Sequence, residues 1–209
     1  GPPFFLFLIT GMFPWNFFAQ SVSNATMSVL DAGSLIKKTA FPRAVVPLSI
    51  VAANGVNFSL AMLVVVGIIV ASRTPLSPWI WCLPLVMGLQ AVFTTGVVLL
   101  VAGLQVRYRD VKYITEVGLL LWFYLTPIFY PLELVARIPA ALRLVYLLNP
   151  FAALVELYRL VLLGGTSGAA VMSPPVALGL AVAFSLAIFL IGLAGFRRHE
   201  PTFADWVTG

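Results

Sequence analysis

Long apolar runs separated by short polar breaks set the pattern of this chain, and runs of about 20 apolar residues predict helices that cross a bilayer. Five such segments fall at residues 3–29, 46–71, 79–104, 114–130 and 174–195. The second half of the first is semi-polar, with Asn16, Gln20, Ser21, Ser23 and Asn24. Amides and hydroxyls are costly against lipid, so these positions are expected to face other helices or a cavity. The break at 31–43 carries Lys37, Lys38 and the corner Phe41-Pro42-Arg43, and reads as a surface-lying loop with a short helix. Residues 73–78 form a proline-rich tight turn, after which Trp79 and Trp81 suit a membrane interface. The charges are densest at residues 105–112.

The segment 114–130 is short and aromatic, and Pro127 and Pro131 are expected to end or kink its helix. Beyond it, Leu134–Leu148 and Phe151–Leu163 are apolar but too short to span, and Asn149-Pro150 divides them. Two short helices that dip into the membrane and return, or a buried helical hairpin, both fit that pattern. Glu156 and Arg159, one helical turn apart, can pair there, either buried or in solvent. In the last segment Gly179, Ala183 and Ala187 share one helix face, which permits close helix approach.

Composition agrees with the pattern. Of 209 residues 61% are apolar and 9% charged, with a mean hydropathy of +1.06. Soluble domains carry about 25% charged residues. The single cysteine, Cys82, has no partner for an internal disulfide. The net charge of +5 is gathered at the ends of apolar segments, which points to membrane orientation and not to nucleic acid. Five spans place the loops 31–43 and 105–112 and the tail from 197 on one side, with eight of the twelve basic residues. The positive-inside rule makes that side cytoplasmic, the C-terminus included, and predicts a further span before Gly1.

The chain has no G-x-x-x-x-G-K-[ST] loop for a nucleotide and no cysteine–histidine cluster for a metal. Its seven scattered carboxylates suggest no acid–base pair, and His199 follows two arginines as a solvated juxtamembrane residue. Neither a catalytic set nor a cofactor site is expected in this chain.

Several ordered motifs carry a family likeness. Gly11-Met12-Phe13-Pro14-Trp15-Asn16-Phe17-Phe18, Leu35-Ile36-Lys37-Lys38-Thr39-Ala40-Phe41-Pro42-Arg43 and Val106-Arg107-Tyr108-Arg109-Asp110-Val111 are three of them. Thr126-Pro127-Ile128-Phe129-Tyr130-Pro131 and Leu148-Asn149-Pro150-Phe151 complete the set. Together they resemble, in family order, the membrane subunit of a type-2 ABC exporter, of the branch that exports polysaccharide. The resemblance implies an all-α polytopic membrane protein: five spans of an expected six, two short re-entrant external helices, and a cytoplasmic coupling helix. It makes residues 1–209 one transmembrane domain, without the family's N-terminal amphipathic helix and first span.

It also implies a homodimer in the inner (plasma) membrane, with two cytoplasmic ATPase subunits that hold the ATP and Mg. The cargo would be a lipid-linked polysaccharide such as O-antigen, capsule or teichoic acid. Leu35, Ile36, Lys37, Lys38, Phe41, Pro42 and Arg43 would couple to the ATPase, and Arg107, Tyr108, Arg109 and Asp110 would form a cytoplasmic gate or anchor. Asn149, Pro150, Glu156 and Arg159 would belong to the re-entrant helices. Sugar C–H faces stack on aromatic rings. Trp15, Phe17, Phe18, Trp122, Phe123, Tyr124, Phe129 and Tyr130 are therefore candidates for the glycan path, with Tyr124, Tyr130 and Trp15 ahead for their polar handles. A type-2 exporter of a drug or small lipid is the nearest alternative. An ion-coupled transporter would need ionisable groups at span centres, which the charges here avoid.

Overall fold

The computed structural model describes residues 3–31, 43–108, 110–131, 139, 144, 146–165 and 172–199. Among them the chain forms six α-helices: α1 (Phe4–Asp31), α2 (Val45–Ala71), α3 (Leu83–Arg107), α4 (Val111–Leu125), α5 (Pro150–Leu163) and α6 (Pro174–His199). A single turn of 3-10 helix, Ile80–Cys82, leads into α3. Phe4–Asp31, Val45–Ala71, Ile80–Arg107 and Pro174–Arg198 are long and apolar enough to cross a membrane. Four of the five expected spans therefore stand. The fifth, expected at 114–130, is shorter: α4 has 15 residues, about 22 Å against a hydrocarbon core of about 30 Å. Pro127 sets its end by driving Thr126 out of the helical region, to φ −92° and ψ 134°.

Named contacts fix the helix directions. Stacked rings of Phe17 and Phe58, 4.8 Å apart, and the bond from Asn54 Nδ2 to Ser21 Oγ make α1 and α2 antiparallel neighbours. Gln90 donates to the Pro14 carbonyl and Gln105 to the Met27 sulfur, so α3 runs parallel to α1. Gly96 faces Ile188 and Gly192, and Gly103 faces Phe196, which makes α3 and α6 parallel as well. Asp31, Arg107 and the Arg197-Arg198 end of α6 thus share one end of the bundle, the grouping that the charge pattern predicts. Val29, Leu99, Ala102, Val106 and Phe196 close that end with a small apolar cluster.

Close packing of α3 on α6 uses glycine, though not the ones the sequence singles out. Gly179, Ala183 and Ala187 are exposed, and nothing lies within 4 Å of where a Gly179 Cβ would stand. The near contact is Gly96 against Gly192, one and a half turns from the C-terminal arginines, where the bare backbones touch. Elsewhere α2 and α6 present apolar side chains outward, among them Leu63 and Leu190, each more than 60% exposed. Water does not accept such a surface; hydrocarbon does. The Cys82 thiol is free and partly buried.

Candidate functional site

The α5 helix lies inside the bundle, not on it. Asn149 caps it, accepting from the Phe151 N–H at 3.0 Å, Pro150 opens it, and Gly164 at φ 75° ends it in the left-handed conformation that a Cβ would strain. It runs antiparallel to α1: the Phe151 ring meets Trp15 and Phe18, Val155 faces Gly11, and Arg159 reaches Phe7. Its N-terminus therefore sits at mid-length of α1, and its last turn meets the α2–α3 turn, where Ser77 Oγ donates to the Leu160 carbonyl.

Asn149 also joins α4 to α5. Its Oδ1 accepts from the Trp122 indole at 2.9 Å, and its Nδ2 donates to Thr126 Oγ1 and the Leu125 carbonyl. One amide thus satisfies the ends of two helices at once. Two to three turns further on, Arg159 Nη1 pairs with Glu156 Oε1 at 2.8 Å. Its Nη2 donates to the carbonyls of Pro127 and Ile128, at 2.8 and 3.1 Å, and its guanidinium lies 3.6 Å from the Phe7 ring centre. Both side chains are essentially inaccessible, so the exposed arrangement left open by the sequence does not occur. The guanidinium clamps the chain leaving α4 onto α5.

A second buried polar chain crosses the bundle. Tyr158 donates to Gln90 Oε1 at 2.6 Å, and Gln90 Nε2 donates to the Pro14 carbonyl at 2.7 Å, linking α5, α3 and α1. Tyr158→Phe would strand that amide oxygen in a fully buried site. The expected cost is about 1–3 kcal/mol, visible as a lower melting temperature of the purified protein in detergent. An unchanged melting temperature would mean that the bond contributes nothing. Neither residue was singled out from the sequence; the signal available was a lone amide, Gln90, in the middle of an apolar run.

The aromatic candidates divide. Trp15, Phe17 and Phe18 are buried. Trp15 and Phe18, with Phe93, Trp122 and Phe151, form a ring cluster with centroid spacings from 5.0 to 6.4 Å. Within a single chain these rings cement four helices. Phe123 is half-buried against Trp15, and Tyr124 and Phe129 are exposed. The Tyr130 hydroxyl meets the Tyr146 hydroxyl at 3.2 Å. Asn16, Gln20, Ser23 and Asn24 form an exposed polar stripe along α1, while Ser21 turns inward to Asn54. The stripe borders two grooves. One, of about 270 Å³, lies between α1 and α4 and contains Ser23 and Glu116; the other, of about 190 Å³, lies between α1 and α2.

At the end of the bundle shared by Asp31 and Arg107, Tyr108 and Asp110 are exposed, and the Arg107 guanidinium lies 5.3 Å from the Tyr108 ring centre. Leu35, Ile36, Lys37, Lys38, Phe41 and Pro42 fall outside the described residues, as does Arg109, whereas Arg43 is half-buried at the approach to α2. Most of the first short helix expected at Leu134–Leu148 also lies outside them. No group of three or more metal-ligating side chains occurs among the described residues.

Apolar helices with lipid-compatible faces, packed around an aromatic core crossed by a few buried polar links, define a polytopic α-helical membrane protein. Residues 3–163 match the family model of the ABC-2 type transporter, and the chain belongs to that family. Two O-antigen export system permease proteins RfbA of Klebsiella pneumoniae are each 33% identical over 205 residues, 98% of this chain and 76% of theirs. An O-antigen export system permease protein RfbA of Myxococcus xanthus is 33% identical over 160 residues, 75% of this chain and 59% of its own.

Proposed function

We propose that this chain is the membrane-spanning permease subunit of an exporter that moves a lipid-linked, O-antigen-like polysaccharide from the cytoplasmic to the outer face of the inner membrane. The observation that carries this reading is the likeness to two O-antigen export permeases along 98% of the chain. Its fold agrees: the helices long enough to span leave a polar stripe on α1 that lipid would not solvate. The energy comes from a separate ATPase pair, which binds ATP and Mg, and two copies of the permease face each other across the path. Among the aromatic candidates with exposed or half-exposed rings, Tyr124 and Tyr130 also carry a hydroxyl to meet sugar.

In this reading α4, continued by the segment after Pro127, completes a fifth span. The α5 helix is the returning arm of an external re-entrant pair, the charged end of the bundle is cytoplasmic, and residues 31–43 receive the push of the ATPase. Replacing Lys37 and Lys38 together by Glu is therefore expected to abolish both cargo-stimulated ATP hydrolysis and display of surface polysaccharide, with the permease still inserted. Full export by that variant would remove the coupling role from this loop. Deleting the gene should leave polysaccharide inside the cell; normal surface display after deletion would overturn the exporter reading itself.

A further inference from the structure

We infer that the groove between α1 and α2 is a subsite for one uncharged sugar ring of the exported chain, an assignment that rests on the polysaccharide reading above. Asn16 and Gln20 from α1 face Asn54 and Asn57 from α2 across a cavity of about 190 Å³, with Phe13 and Phe58 among its walls. Asn54 Nδ2 is engaged with Ser21. The side chains of Asn16, Gln20 and Asn57 make no hydrogen bond to any described residue, and all three are exposed in the groove.

Their depth makes this arrangement informative. Asn16 stands twelve residues from Phe4 and fifteen from Asp31, which is about 18 and 22 Å along the helix. Both helices qualify as membrane spans, so the groove lies where acyl chains offer no hydrogen bond. Three idle amides at that depth need a polar occupant. Each amide offers an N–H donor and a carbonyl acceptor, the combination that reads a hydroxyl, which is itself both. Charged side chains are absent from the lining, so a phosphate would find no countercharge. The half-buried Phe13 ring supplies a flat apolar surface on which the C–H face of a pyranose stacks, while Phe58, stacked on Phe17, only floors the groove. Donors, acceptors and rings without charge select a neutral hydroxyl-bearing ring over a lipid headgroup.

The test uses the full permease with its ATPase partner in proteoliposomes, and a polyprenyl-linked neutral oligosaccharide as the probe. The double variant Asn16→Leu/Asn57→Leu, which suits lipid, is expected to raise the KM for the oligosaccharide at least tenfold while changing the maximal rate much less. Ala61→Phe, which fills the groove from its edge, should do the same by exclusion, and Asn57→Ser should retain most of the affinity. A KM within twofold of wild type in both the double variant and Ala61→Phe, with normal wild-type transport, overturns the subsite alone. A wild type that takes up no lipid-linked oligosaccharide overturns the subsite and the polysaccharide reading together. Loss of the dimer in the double variant, seen by size exclusion, would instead assign the groove to a second copy of the chain.

Discussion

Arg159→Met is expected to be the most damaging single change to the α4–α5 junction, at a cost of about 3–5 kcal/mol. The substitution removes the guanidinium but leaves the Glu156 carboxylate in a fully buried site without the Arg159 bond. It also frees the carbonyls of Pro127 and Ile128, which hold the chain leaving α4 against α5. Glu156→Leu/Arg159→Met should recover much of the loss, because a buried pair replaced whole by apolar groups avoids the stranded charge. Recovery should be incomplete, since the two carbonyls stay without their donor and the Phe7 ring without its cation. Unfolding of the purified permease by a denaturing detergent, compared across the single and double variants, separates these terms. If the single variant is as stable as wild type, the pair is not buried as described.

That clamp also marks where the sequence stops being legible. The long spans can be read from hydropathy alone, because twenty apolar residues have few other uses, and their ends agree with the helices to within a few residues. Even the shared end of α1, α3 and α6 follows from the charges. The Asn149-Pro150 boundary is equally plain, since a capping amide followed by proline opens a helix whatever surrounds it. By contrast, the depth of α5 is invisible. Glu156 and Arg159 read equally well as a buried or a solvated pair until the carbonyls of Pro127 and Ile128, some thirty positions earlier, are folded onto Arg159. Long-range partners of that kind leave no local trace. The same limit applies to Trp15 and Phe18: an aromatic run reads alike whether its rings line a path or fill a joint among four helices. Semi-polar α1 was legible as a face needing company, but its sorting into inward Ser21 and outward Asn16, Gln20 and Ser23 awaited α2 and α4.

Gly192→Leu is expected to break the α3–α6 seam outright. A Cβ at Gly192 would fall far inside van der Waals contact with the Gly96 carbonyl oxygen, and a Cβ at Gly96 would come to 2.6 Å from the Ile188 carbonyl. The obstacles in both cases are main-chain atoms, which cannot rotate aside as a side-chain tip can. The helices must move apart, and with them the dispersion contacts that hold membrane helices together where the hydrophobic effect is absent. Overpacking typically costs about 1–3 kcal/mol when side chains can adjust, and here the cost should exceed about 3 kcal/mol. Gly179→Ala on the same helix supplies the control. It stands in open space, so the gain of about 0.5–1 kcal/mol in helix propensity should leave the protein as stable as wild type or slightly more so. Recovery of folded, monodisperse protein after heating distinguishes them: a large loss for Gly192→Leu and none for Gly179→Ala. Equal tolerance at the two positions would show that α3 and α6 are not in backbone contact, and the placement of Phe196 over Gly103 would fall with it.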